Sequence, residues 1–220
     1  MSQTSGRMHK IVLFDFDGTL FDTRSVDTLA VNALRDELGL SPLPDGEILS
    51  YVGQTNNAFI TNCFGVDPKG DLTEISARFA YWELYFIRHG ARLFDGAAEL
   101  LFSLKSRGLV LALCSNGSRE YITSIFDTLD LWKHFNEVYF NTPGMEKEMM
   151  IAEVLQKYKG DERNSVMVGD RIMDIEAARA NGIPVIGVTF GFGGNEPYDA
   201  DRTADSFSEL ERSICDILSV

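Results

Sequence analysis

The sequence predicts an α/β fold, a doubly wound Rossmann-like parallel sheet core with an inserted helical subdomain. Three observations lead there. Apolar, β-rich runs recur along a chain of 220 residues; segments of helical period alternate with the last four of them; and the block after the first run is helical in pattern throughout. Strands alternating with helices of this length form right-handed βαβ units, and hence a parallel sheet covered on both faces.

The first run, Ile11 to Phe14, is followed by Asp15-Phe16-Asp17-Gly18-Thr19. Side chains alternate along a strand, so Asp15 and Asp17 are expected on the same side where it ends. Two adjacent carboxylates beyond a buried strand are costly unless a cation or a shared proton offsets their repulsion. Alone, the pair also reads as a capping aspartate beside an ordinary loop acid.

Residues 24–89 break the alternation. Val26, Leu29, Ala30, Ala33 and Leu34, and later Ile75, Phe79, Trp82 and Phe86, keep helical spacing. Gly39 to Gly46, with Pro42, Pro44 and Asp45, reads as a connection between helices. The block is therefore expected to be a separate helical unit inserted after the first strand, leaving 1–23 and 90–220 as the core. The aromatics Phe79, Tyr81, Trp82, Tyr85 and Phe86 are expected to form the insertion's own core. Beyond it, Ala97, Leu100, Leu101 and Leu104 mark a helix that stops at Arg107-Gly108. Strands are then expected at Leu109 to Cys114, Glu137 to Phe140, Ser165 to Val168 and Val185 to Phe190. Between them lie helical faces at Tyr121, Ile125 and Leu129, at Ile151, Val154, Leu155 and Tyr158, and at Ile175, Ala178 and Arg179.

A formal charge of -13 argues against nucleic acid and anionic membrane surfaces as partners. Cys63, Cys114 and Cys215 are odd in number and widely spaced, which reads as reduced thiols with neither a disulfide framework nor a zinc site. Met1 to Arg7 lacks the apolar stretch of a signal peptide, and no run approaches membrane-spanning length, so a cytoplasmic location is expected.

A second acidic site follows another apolar run in Val166-Met167-Val168-Gly169-Asp170-Arg171-Ile172-Met173-Asp174. The spacing of Asp170 and Asp174 brings both carboxylates to one face if a helix or tight turn starts there. Acids at a helix start also cap amides and suit the dipole. In an open parallel sheet, ligands bind beyond the carboxyl ends of the strands, where Asp15, Asp17, Asp170 and Asp174 all fall. A hard divalent cation such as Mg²⁺ would relieve the crowding of four carboxylates. At a third strand end, Ser115 supplies a hydroxyl, and Asn116-Gly117-Ser118 can present amides to an anion or simply cap a helix. Lys147, between Glu146 and Glu148, reads as part of a solvated face unless a site handling phosphate needs its charge.

These elements, in this order, resemble the haloacid dehalogenase superfamily of aspartate-nucleophile phosphotransferases. Asp15 to Thr19 is similar to its first motif, Ser115 to the second, Lys147 to the third, and Gly169-Asp170 with Asp174 to the fourth; Glu148 stands where a proline often follows the lysine. The helical insertion resembles the family's helical cap, and Gly182 to Gly194 is similar to phosphoglycolate-phosphatase-like members. The resemblance implies a phosphatase of small phosphomonoesters in which Asp15 is the nucleophile and Asp17 the acid and base. It implies Mg²⁺ held by Asp15, the carbonyl of Asp17, Asp170 and Asp174. Ser115 and Lys147 would hold phosphate oxygens, aided by Gly18, Thr19 and Asn116. Asp17 favours phosphoryl chemistry over dehalogenation, because a halide needs no proton on leaving. A phosphomutase, or a binding or regulatory module that kept the fold, are the alternatives.

From Ser25 to Pro68 the only basic residue is Arg35, against six acids. A second anionic group on a substrate is normally met by arginine or lysine. A neutral leaving group, such as a sugar or nucleoside, is therefore expected over phosphoglycolate, unless Lys69, Arg78, Arg88 or Arg92 folds back to the crevice. Gly53-Gln54-Thr55-Asn56-Asn57 reads first as a helix cap and second as a polar wall of the site.

Overall fold

The computed structural model describes residues 9–220, so the reading of Met1 to Arg7 lies outside the described residues. The core is a six-stranded parallel sheet of β1 (Ile11–Phe14), β2 (Val110–Ser118), β3 (Glu137–Asn141), β4 (Ser165–Gly169), β5 (Val185–Val188) and β6 (Arg202–Ala204), in the order β3-β2-β1-β4-β5-β6. The winding direction reverses at β1, whose Phe14 is in register with Leu113 of β2 and Val168 of β4. A crevice at the carboxyl ends of β1, β2 and β4 is the expected place for a ligand.

Alternation along the central strands divides the apolar residues between two layers. Val12, Phe14, Leu111, Leu113, Val166 and Val168 pack with α5 (Ala97–Ser106), α6 (Arg119–Thr128) and α9 (Phe207–Leu218). Ile11, Leu13, Val110, Ala112, Cys114 and Met167 pack with α7 (Lys147–Tyr158) and α8 (Ile172–Ala180). Burying one such side chain contributes about 1.5–3 kcal/mol relative to leaving it exposed. This two-sided burial also makes the strand sequences continuously apolar.

Between β1 and α5 lie four helices: α1 (Asp27–Glu37), α2 (Asp45–Ser50), α3 (Asn56–Phe64) and α4 (Thr73–Gly90). They have an apolar cluster of their own, built on Val31, Leu34, Ile48, Phe59, Ile60 and Phe79. The two chain segments joining them to the sheet run side by side: Asp22 N–H donates to the Arg92 carbonyl at 3.1 Å, and the Arg92 guanidinium binds the Asp22 carboxylate at 2.9 Å.

Several sequence expectations need correction. β2 runs on to Ser118, through a register shift between Cys114 and Ser118. β5 stops at Val188, short of Phe190. The three-residue edge strand β6 was too short to give a periodic signal. Helix α2 begins at Asp45, inside the stretch read as a connection. Of the aromatics assigned to the insertion's core, Phe79 is buried, whereas Tyr81 and Tyr85 are exposed and stack edge-on against Trp82. The three cysteines are free; Cys63 and Cys114 are buried. Among the described residues no helix is long and apolar enough to cross a membrane.

Candidate active site

The odd positions of β1 face the layer containing α7 and α8, and Asp15 continues that series one residue beyond the strand. Its backbone N–H still donates to the Val168 carbonyl at 2.8 Å, which fixes it beside β4. Lys147 opens α7 and is buried, with its ammonium 2.6 Å from Asp15 Oδ1 and 2.5 Å from Asp174 Oδ1. The solvated-face reading of Lys147 is therefore overturned. Asp174 sits in the first turn of α8, where its Oδ2 accepts the Arg171 N–H at 3.1 Å. It caps the helix, as the capping reading expects, and also faces the cluster.

Asp170 follows β4 directly. Its Oδ2 accepts the backbone N–H groups of Phe192 at 2.6 Å and Gly193 at 3.1 Å, while its buried Oδ1 has no hydrogen-bond partner. The loops around it approach so closely that side chains are excluded. A Cβ at Gly18, which has φ +80°, would lie 2.4 Å from Asp170 Oδ2, and one at Gly193 would lie 1.8 Å from the Asp170 carbonyl oxygen. Oxygen atoms of Asp15, Asp170 and Asp174 lie within 4.8 Å of one another. Three carboxylates and one ammonium leave an excess of negative charge around an orphaned oxygen, and this donor set fits a hard divalent cation.

Asp17 borders the same cavity but its carboxylate has different company. Tyr121 donates to its Oδ1 at 2.7 Å and Thr23 to the same atom at 3.0 Å. The strand ends at Phe14, so strand alternation no longer sets where this side chain goes. Thr19 is buried with its hydroxyl 3.4 Å from Asp15 Oδ2, and thus orients that carboxylate.

Ser115 and Asn116 lie where β2 shifts register against β3. Ser115 Oγ accepts the Gly117 N–H at 3.0 Å, and it is Ser118 that caps α6, accepting from Tyr121 N–H at 3.2 Å. The Asn116 amide donates to the Gly53 carbonyl at 3.3 Å and so ties β2 to the inserted helices. Arg171 makes a second tie, bonding the Val52 carbonyl and pairing with Glu196 at 3.1 Å. Thr55 does cap α3, while its neighbours Gly53, Gln54 and Asn56 line the cavity.

Electrostatics follow from this burial. Burial raises the pKa of Asp15, against the pull of Lys147, and likewise that of Asp17, against its hydroxyl donors. Asp170 is raised well above the usual range by burial and by Asp15 and Asp174, and Asp174 is pushed up to about 6 by burial and Asp15. Burial opposes the charge on Lys147, but the two carboxylates outweigh it and hold the ammonium firmly protonated. Low-dielectric acids crowded in a cleft are a mark of functional sites.

Asp15, Asp17 and Lys147 border a cavity of about 190 Å³ between the sheet and the inserted helices. Sequence reasoning missed four features of the site: the Tyr121 and Thr23 donors on Asp17, the amides of Phe192 and Gly193 on Asp170, the Arg171 tie, and the acids Asp27 and Glu83 that line the cavity from the inserted helices. The run Gly191-Phe192-Gly193-Gly194 was a visible signal for the second; the others come together only through folding.

A family model described as haloacid dehalogenase-like hydrolase matches residues 12–188, which spans every one of the acids at the sheet end. The chain belongs to that family. It is a hydrolase, and its relatives are phosphatases. A phosphoglycolate phosphatase of Agrobacterium fabrum is 30% identical over 86% of this chain and 84% of the relative. A 5'-nucleotidase of Pseudomonas aeruginosa is 27% identical over 90% of this chain and 91% of the relative. In fold, a crystal structure of a predicted phosphoglycolate phosphatase from Haemophilus somnus superimposes with a TM-score of 0.84 at 20% identity, covering 94% of this chain and 98% of the other. The six-stranded sheet places Asp15 and Asp170 just beyond the adjoining strands β1 and β4, with Ser115 inside β2 and Lys147 at the start of α7.

Proposed function

We propose that the protein is a Mg²⁺-dependent phosphatase of small phosphomonoesters, working through a phosphorylated Asp15. The observation that carries this reading is Lys147, whose one ammonium spans Asp15 and Asp174 at the floor of the cavity. It holds the nucleophile as a carboxylate despite burial and supplies positive charge where phosphate oxygens must sit.

Asp15, Asp170 and Asp174, with the carbonyl of Asp17, would hold Mg²⁺; the unpartnered Oδ1 of Asp170 supports that donor set. When bound, the ion neutralises phosphoryl charge that would otherwise repel a carboxylate. An Asp15 oxygen then bonds to phosphorus as the bond from phosphorus to the leaving oxygen breaks. Asp17 gives its proton to that oxygen. Tyr121 and Thr23 both donate to Oδ1, which leaves Oδ2 to carry the proton, and burial favours the protonated form. In the second half Asp17, now a carboxylate, takes a proton from water. The water oxygen bonds to phosphorus, the bond to Asp15 breaks, and phosphate leaves.

Ser115 and Lys147 would hold the phosphoryl oxygens. Backbone at Gly18 and Asn116 would assist, with Thr19 steadying Asp15. Residues 24–89 would act as a cap, closing over the ester through the Asn116 and Arg171 ties. The phosphoglycolate phosphatase and the 5'-nucleotidase among the relatives have phosphate monoesters in common, of glycolate and of nucleosides. Phosphate release from a panel of monophosphates, with and without Mg²⁺, tests the reading. Metal-dependent turnover is expected in the wild type and a loss of at least about a thousandfold in Asp15→Asn. Full activity in that variant would remove Asp15 from the role.

A further inference from the structure

The wall that the inserted helices contribute to the cavity carries two acids, Asp27 and Glu83. Asp27, in the first turn of α1, is 8% exposed, and its Oδ1 is buried without a hydrogen-bond partner. It does not cap its helix, because no backbone N–H of α1 reaches its side chain. Glu83, from the middle of α4, lines the same chamber and is close enough to Asp27 and Asp17 to feel both charges. Among the described residues neither acid has an ion-pair partner. Two cations border the cavity, and both are already engaged: Lys147 by Asp15 and Asp174, Arg171 by Glu196 and the Val52 carbonyl. Arg78 and Arg92, which could have folded back, are held by Glu37 and Asp22.

A buried carboxylate without a partner is costly, as Asp27 is, and desolvation raises Asp27 well above its usual range and the half-buried Glu83 to about 8. A cost of this kind is removed when a ligand brings the missing charge. Phe59, Phe79 and Tyr121 line the chamber beside these acids, and aromatic faces attract a cation while offering little to an anion. Resting on the phosphatase reading above, we propose that the cavity selects phosphate monoesters whose leaving group carries a protonated amine, with Asp27 and Glu83 as the residues that receive it. The same wall offers no free cation to a leaving group bearing a carboxylate, so the chain discriminates against phosphoglycolate although relatives are named for it.

The test compares four esters of similar size with Mg²⁺ present: propyl phosphate, 2-aminoethyl phosphate, 3-aminopropyl phosphate and phosphoglycolate. At least one amine ester is expected to exceed propyl phosphate in kcat/KM by about tenfold or more, with phosphoglycolate below both. Asp27→Asn and Glu83→Gln, singly and together, are expected to shrink the ratio of amine to propyl ester, chiefly through KM. Equal or better turnover of propyl phosphate or phosphoglycolate overturns the inference, as does a ratio that the substitutions leave unmoved. Should the double variant fail to fold, the wild-type ranking and Glu83→Gln alone decide. Should no ester be hydrolysed, the phosphatase reading fails separately. Calorimetric binding of the four esters to wild-type protein then decides the inference: amines first upholds it, and any other order or no binding overturns it.

Discussion

The two ends of the cleft both gather acids, but only one end is given a counter-charge by the protein. At the sheet end, Asp15 and Asp174 share the ammonium of Lys147 at 2.6 and 2.5 Å, and Asp170 takes two backbone N–H groups. At the helical end, Asp27 and Glu83 sit near Asp17 with no cation among the described residues. The first arrangement is organised before any ligand arrives. The second is left unbalanced, and its balance has to come from what binds. On the proposed reading, one end would serve the chemistry that every substrate shares and the other would tell substrates apart.

The largest expected effect falls on the balanced end. Lys147→Ala would leave Asp15 and Asp174 buried without their cation, which costs about 3 kcal/mol or more. Denaturant unfolding should show this loss in full without Mg²⁺ and a smaller loss with it, since an ion that binds only the folded state stabilises it. A loss unaffected by Mg²⁺ would break the claim that metal and lysine serve the same charge cluster.

Asp17 lies between the two ends, and Tyr121 connects it to α6. Tyr121→Phe removes a donor that favours the ionised form, so the pKa of Asp17 should rise further. An acid must be protonated to act, and its limb of the kcat profile falls as pH passes its pKa; that fall should move to higher pH. A decrease in kcat of about tenfold is expected alongside. An unmoved or acid-shifted limb would detach Tyr121 from the proton-transfer step.

The smallest effect belongs to the unbalanced end. Glu83 has its pKa raised from 4.5 to about 8, by burial first and the nearby Asp17 charge second. The folded state then binds a proton more tightly than the unfolded chain between these values, so stability should fall as pH rises from about 4.5 to about 8. Glu83→Gln should flatten that decline and leave the variant more stable than the wild type near pH 8. Thermal unfolding across this range checks it; an equal decline in both proteins would mean that the acid is already compensated.

How much of this could be read from the sequence follows the same division. The sheet end was legible because each residue sits at the end of an apolar run. A strand's period and an abrupt acid identify Asp15, Asp17 and Asp170, and a short spacing adds Asp174. Lys147 was ambiguous because its neighbours are acids; only the seating of α7 against β2 turns it inward. The helical end was illegible. Asp27 and Glu83 lie 56 positions apart on amphipathic helices, where an acid ordinarily marks the solvated face. What places them together is the packing of α1 on α4, a tertiary fact with no local signature. The scarcity of basic residues from Ser25 to Pro68 was the one trace of that wall in composition. Edge strand β6 and the start of α2 failed for a simpler reason, being too short to show a period.

The central claim is that Asp15 carries the phosphoryl group between the two halves of the reaction. The direct measurement is peptide mass spectrometry on enzyme quenched in acid during Mg²⁺-supported turnover of a phosphomonoester. A single phosphoryl adduct is predicted on the peptide containing Asp15, absent from Asp15→Asn. Turnover that persists with no adduct, or an adduct found only on another residue, would contradict the account.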